Sequence, residues 1–182
     1  MKLTFITGNA GKLSEVKLIL PNVEGMDIDL PEIQEIDARK VVEAKLQSAL
    51  SKHEGEFIVE DTSLYLNAIN GLPGPLIKWF MKTIGNEGLV ALAEKFGDGD
   101  AEAKTIIGYA KNTNDIEFFE GVIHGNIVSP RGDKGFGWDA IFQPNGQDKT
   151  FAEMDSDEKN DVSMRKIATE KLKNWLEQVE GS

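Results

Sequence analysis

Apolar positions along this chain follow two periods. Lys2 to Ile6 is a short apolar run that meets Thr7-Gly8-Asn9-Ala10-Gly11, after which Leu13, Val16 and Leu20 recur at helical spacing, predicting strand, loop and helix. Met26 to Leu30 reads as another short strand. Ala38, Val42, Leu46, Ala49 and Leu50 form one stripe, predicting a helix from about Ala38 to Ser51. Glu56-Phe57-Ile58-Val59 then reads as a buried strand that stops at Glu60-Asp61. Gly71-Leu72-Pro73-Gly74-Pro75 predicts a stiff turn, and Leu89, Leu92, Ala93 and Phe96 a short helix closed by Gly97-Asp98-Gly99-Asp100. Two strands, Lys104 to Lys111 and Ile116 to Val128, are joined by the turn-forming Asn112-Thr113-Asn114-Asp115, so a hairpin and a mixed sheet are expected. After a glycine-rich stretch from Gly132 to Gly137, Ala168, Leu172, Trp175, Leu176 and Val179 share one face of a final helix. Strands alternating with helices predict an α/β sheet with ligands beyond the carboxyl ends of its strands.

Composition narrows the chemistry. The 182 residues, 40% hydrophobic, suffice for one substantial core, so residues 1–182 read as a single domain, possible as two lobes. The chain has no cysteine, which removes thiolate metal sites and thiol nucleophiles and leaves oxygen and histidine as metal ligands. No apolar stretch approaches the ~20 residues of a membrane span, and Met1 to Ile6 is too short for a signal peptide, so no membrane association and a cytoplasmic location are expected. Lys plus Arg number 20 against 31 Asp plus Glu, a net charge of -11 that repels nucleic acid. A small polyanion is admissible only where a few cations are focused and a metal offsets the remaining charge.

Several residues fit such a place. A loop between strand and helix presents free N–H groups and the positive end of the helix dipole, which suits Thr7, Gly8, Asn9 and Lys12 to phosphate. It is no Walker loop, because Leu13 follows Gly11-Lys12 where a Ser or Thr is needed. Glu60 and Asp61 are adjacent, so in an extended chain they point to opposite faces and only one reaches a given metal. Glu32 is the candidate second carboxylate, since magnesium takes one or two carboxylates plus substrate phosphates. Lys45 falls inside the apolar arc of the second helix: its stem either snorkels or carries the ammonium to a phosphate. Arg165, near the start of the last helix, either donates to a carbonyl-rich ligand or meets an acidic partner. Phe136-Gly137-Trp138-Asp139 offers aromatic faces and a carboxylate for a planar base. His53 and His124 stand apart without metal spacing.

Six segments occur in order: Thr7 to Lys12, Glu60 to Leu64, Gly71 to Pro75, Phe136 to Asp139, Thr150-Phe151-Ala152-Glu153-Met154, and Lys159 to Arg165. With them the chain resembles the inosine triphosphate pyrophosphatases from end to end. The resemblance implies an elongated, two-lobed α/β fold with a long mixed twisted sheet flanked by helices, a nucleotide cleft between the lobes, and a homodimer. Carried over by position, it implies phosphate binding by Thr7, Asn9, Lys12 and Lys45, and metal binding, as Mg2+, by Glu32 and Asp61. It implies base binding by Phe136 as the stacking ring, with Trp138, Asp139, Lys159, Ser163 and Arg165. Ser63 stands where many members have glycine, and Met164, beside Ser163, where the family usually has histidine.

The implied reaction is attack of water on the α-phosphorus of inosine, deoxyinosine or xanthosine triphosphate, releasing pyrophosphate. Lys12 and Lys45 would neutralise charge, and Asp61, or Glu60 beside it, would orient or deprotonate the water. A donor such as Arg165 would accept a 6-oxo purine and be left unpaired by adenine. Two other readings are a broader house-cleaning triphosphate pyrophosphatase, which Met164 favours, and a non-catalytic nucleotide sensor, which the retained Glu32, Asp61, Lys12 and Lys45 disfavour.

Overall fold

The computed structural model describes residues 2–181. Among them, seven strands form one mixed sheet in the order β2 (Glu24–Met26), β1 (Leu3–Ile6), β3 (Glu56–Leu66), β5 (Asp100–Asn112), β6 (Asp115–Ile127) and β7 (Phe142–Pro144), with β4 (Pro73–Gly74) paired to β3. By internal contacts the chain divides into two compact units. The first comprises the residues up to Asp61, Thr105–Gly121 and the residues from Arg165 on; the second comprises Thr62–Lys104 and Val122–Met164.

In the first unit, β1 (Leu3–Ile6) lies parallel to β2 (Glu24–Met26) and to β3 (Glu56–Leu66), with Phe5 opposite Ile58. Side chains alternate across the sheet, and both faces are covered. Phe5, Ile58, Ile107 of β5 (Asp100–Asn112) and Tyr109 meet Val16 of α1 (Ala10–Ile19) and Ala168 and Leu172 of α6 (Met164–Glu180). Ile6, Phe57, Val59 and Ile106 meet Ala38, Val42, Leu46 and Ala49 of α2 (Ala38–Leu50). Burial on both faces is why these strands read as continuous apolar runs. Asn9 caps α1 by accepting from Lys12 N, and Asp37 caps α2 by accepting from Arg39 N.

The second unit is built on the far half of β3, on α3 (Ile77–Thr83) and α4 (Gly85–Phe96), on the start of β5, and on the chain from Val122 of β6 (Asp115–Ile127) to Met164. β4 (Pro73–Gly74) pairs antiparallel with β3, and β7 (Phe142–Pro144) with β6. Leu64, Leu66, Leu89, Trp138, Phe142, Phe151 and Met164 share one apolar cluster. α5 (Ser156–Asp161) opens with a reciprocal cap between Asp155 and Glu158. No helix among the described residues is long and apolar enough to cross a membrane.

Two sequence expectations need correction, and three elements had no signal. β3 does not stop at Glu60-Asp61 but runs on to Leu66, because both carboxylates are met by cations and the strand beyond them feeds a second apolar cluster. The strand expected from Met26 to Leu30 is β2 and ends at Met26: β1, its partner, stops at Ile6, so residues 27–30 have no ladder to join. α3, α5 and β7 lie in stretches too short or too irregular to show a period.

Candidate functional site

The strand parity of β3 sets the electrostatics of the first unit. Glu60 continues the face of Ile58, toward α1 and α6; Asp61 continues the face of Phe57 and Val59, toward α2. Each carboxylate therefore meets the cations carried on its own side. Lys12 of α1 places Nζ 2.8 Å from Glu60 Oε1, while Arg165 of α6 donates from Nε to Glu60 Oε2 at 2.8 Å and from Nη2 to Oε1 at 3.0 Å. Arg165 Nη1 also donates to Glu15 of α1 at 2.5 Å. On the other face Lys45 lies 3.8 Å from Asp61 Oδ1 and 3.7 Å from Glu32 Oε1, and Nζ donates to the Glu60 carbonyl at 3.4 Å.

Burial by itself would raise the Glu60 pKa, but the charges of Arg165 and Lys12 outweigh it and hold the carboxyl well below the usual carboxylate range. Burial would likewise lower the Arg165 pKa, and Glu60 and Glu15 more than reverse that. Arg165 is 2% exposed. Of the two sequence readings for it, the structure shows the acidic partner: its guanidinium meets the carboxylates of Glu60 and Glu15.

A cavity of about 310 Å3 opens at this place, lined by Thr7, Gly8, Lys12, Glu32, Lys45 and Glu60 together with Asp27 and Asp29. Six residues singled out from sequence are thus brought together, and the two aspartates are additions. Their signal was hidden because they fall in a segment read as strand. Gly8 sits close to the Asp27 carboxylate: a Cβ on it would come within 2.8 Å of Oδ1, so a larger residue there would have to displace that side chain. Asn9 does not line the cavity. Its Oδ1 accepts from Lys12 N at 3.1 Å and its own N–H donates to Thr7 Oγ1 at 3.1 Å, so it sets the loop. Two lysines face four carboxylates in the lining. A polyanion enters such a cavity only with added positive charge, and Glu32 and Asp61, both within reach of the one Lys45 ammonium, are the hard oxygen donors a divalent cation of the magnesium type prefers.

In the second unit Phe136 is 48% exposed and lies between Gly135 and Gly137, which have φ of 77° and 62°. A Cβ on Gly135 would collide with the Asp139 carboxylate. That carboxylate is buried and accepts from Phe136 N at 2.9 Å and from Lys159 Nζ at 2.7 Å. The Lys159 ammonium in turn stands 5.0 Å from the Phe136 ring centroid. Phe136 and Lys159 therefore form one cluster organised by Asp139. Trp138 does not join it: only 8% exposed, its indole meets Phe142 edge-on and lies beside Phe151. Ser163 and Met164 are buried as well, Met164 in the same apolar cluster. Sequence offered no signal for Glu15, whose partner Arg165 lies 150 positions away.

Against known proteins, the chain is 44% identical over 179 residues to the inosine triphosphate pyrophosphatase of Schizosaccharomyces pombe, covering 96% of this chain and 95% of that one. It is 46% identical over 178 residues to the inosine triphosphate pyrophosphatase of Neurospora crassa, covering 96% and 92%. Among solved structures, a Ham1 protein from Coxiella burnetii superposes with a TM-score of 0.85 at 26% identity, over 98% of this chain and 100% of that one. The Ham1 protein of Staphylococcus aureus gives 0.82 at 26% identity, over 97% and 99%. The Ham1 family model matches residues 3–175, a span that holds the Lys12–Glu60–Arg165 charge chain, the Lys45 pair of carboxylates and the Phe136 loop, and the chain belongs to the Ham1 family.

Proposed function

We propose that this protein is a nucleoside triphosphate pyrophosphatase that hydrolyses non-standard purine nucleotides, inosine, deoxyinosine and xanthosine triphosphates, to the monophosphate and pyrophosphate. The observation that carries this reading is the convergence of Lys12, Lys45, Glu32 and Glu60 on one cavity, with Asp61 against Lys45. Lys12 and Lys45 bind the phosphates and offset charge as the bond to the leaving pyrophosphate lengthens. Glu32 and Asp61 hold Mg2+, which when bound supplies the positive charge the acid-rich lining lacks. Water attacks the α-phosphorus, the α–β bridging oxygen departs with pyrophosphate, and the water proton passes to one of the adjacent acids, Asp61 or Glu60. Glu60 keeps Lys12 in place. Phe136 stacks the base, and Lys159 reaches its edge.

The resemblance also supports a homodimer in the cytoplasm, which sedimentation and fractionation test. Nucleotide-pool cleansing is the physiological role. The deciding experiment measures pyrophosphate release from natural and deaminated triphosphates with and without magnesium, in the parent, Asp61→Asn and Glu32→Gln. Metal-dependent release favouring inosine over adenosine triphosphate, lost by about 100-fold or more in both variants with circular dichroism unchanged, is the expected result. Near-parental rates in either variant at saturating magnesium would remove that residue from the metal site.

A further inference from the structure

Asn86 lies in the first turn of α4, and its Nδ2 donates to the carbonyl of Gly137 at 3.1 Å. The Oδ1 of the same side chain is buried and has no hydrogen-bond partner among the described residues. The amide cannot relieve this by turning over, because that would set Oδ1 against the Gly137 carbonyl, acceptor against acceptor. Gly137 is exposed, so water would satisfy its carbonyl equally well. The side chain therefore gives the fold nothing that solvent would not, and it leaves a buried acceptor unpaired, which is a cost. Its use lies in what it holds.

What it holds is the loop carrying Phe136. On one side of the ring the Phe136 N–H is tied to the Asp139 carboxylate, and on the other the Gly137 carbonyl is tied to Asn86. Gly135 and Gly137 adopt positive φ and give the backbone wide freedom once a tie is lost. We propose that Asn86 is a positioning residue that fixes the Phe136 ring as a ready stacking surface for the substrate base. The inference rests on the reading of Phe136 as that surface. With the tie present, the loop is ordered before binding; without it, the ordering entropy is drawn from the affinity for the base.

The test compares Asn86→Ala, Asn86→Asp and Phe136→Ala by KM and kcat for inosine triphosphate, by the inhibition constant of inorganic tripolyphosphate, which has phosphates and no base, and by Tm. Both Asn86 variants should raise KM by about fivefold or more with kcat within about twofold, since only a preorganised contact is lost. Tripolyphosphate inhibition should be unchanged, and the Tm of Asn86→Ala should equal or exceed the parent's, because the orphan acceptor is gone. Asn86→Asp keeps the shape but loses the donor, so a parental KM there overturns the proposal. A rise in KM for Phe136→Ala with none for Asn86→Ala overturns it while leaving the stacking surface standing. No rise for Phe136→Ala removes the stacking surface and the proposal with it. A fall in Tm of Asn86→Ala accompanied by weaker tripolyphosphate inhibition would show a structural role and also overturn it.

Discussion

Lys12 Nζ stands 2.8 Å from a carboxylate oxygen of Glu60, an acid that Arg165 grips at the same time through two nitrogens. The lysine proposed for phosphate is therefore fixed through a buried charge network reaching from α1 across β3 to α6. Glu60→Gln leaves Arg165 and Lys12 with one counter-charge fewer, and removing one partner of a buried pair costs about 3 kcal/mol. Because the folded Glu60 pKa is depressed, its contribution is fully present above the ordinary value of 4.5 and is lost as pH falls through the lower folded value. Urea unfolding of the parent should thus weaken steadily below about pH 4.5. Glu60→Gln should be less stable at pH 7 and show a shallower acid limb, and equal limbs in the two proteins would contradict the role given to this acid.

Lys45 has its stem beside the α2 core and its ammonium near Glu32 and Asp61. Since that ammonium competes with a metal for the same two carboxylates, Lys45→Met should tighten magnesium binding in the absence of nucleotide, while KM for the triphosphate rises about tenfold. Isothermal titration and steady-state kinetics read the two effects separately. A snorkelling lysine with no ligand role would leave both unchanged.

Trp138→Ala separates packing from base binding. With its indole edge-on to Phe142 in the second unit's core, truncation should cost about 3 kcal/mol in denaturant unfolding, as for other buried aromatics. A residue serving only as a base platform would instead raise KM at unchanged stability.

Met164 is buried with Trp138, Phe151 and Met154, so its side chain serves the core. Restoring the family's residue by Met164→His should change the ratio of kcat/KM for inosine over adenosine triphosphate by less than about threefold, and a buried imidazole short of one partner should cost about 1–3 kcal/mol. A tenfold gain in that ratio would place base reading on this side chain.

Much of the frame was legible in the order of residues. The α2 stripe from Ala38 to Leu50, the hairpin about Asn112 to Asp115 and the α6 face with Ala168 and Leu172 follow from local periodicity, and the structure keeps them within a few residues. That Glu60 and Asp61 face opposite ways also followed, because side chains alternate along any strand.

What periodicity could not supply was the identity of partners brought together from distant sequence. Nothing near Arg165 in the chain shows that Glu15 and Glu60 will claim its guanidinium, and nothing near Trp138 shows that its ring will be core while Phe136, two residues earlier, stays half exposed. Those outcomes depend on which helix covers which face of the sheet and on the turns Gly135 and Gly137 permit. Sequence by itself determined the local elements, the face each acid takes and the residue types at the site, because these depend on neighbours along the chain. The tertiary structure alone decided which cation neutralises which carboxylate, because charge interactions are set by distance and burial in space.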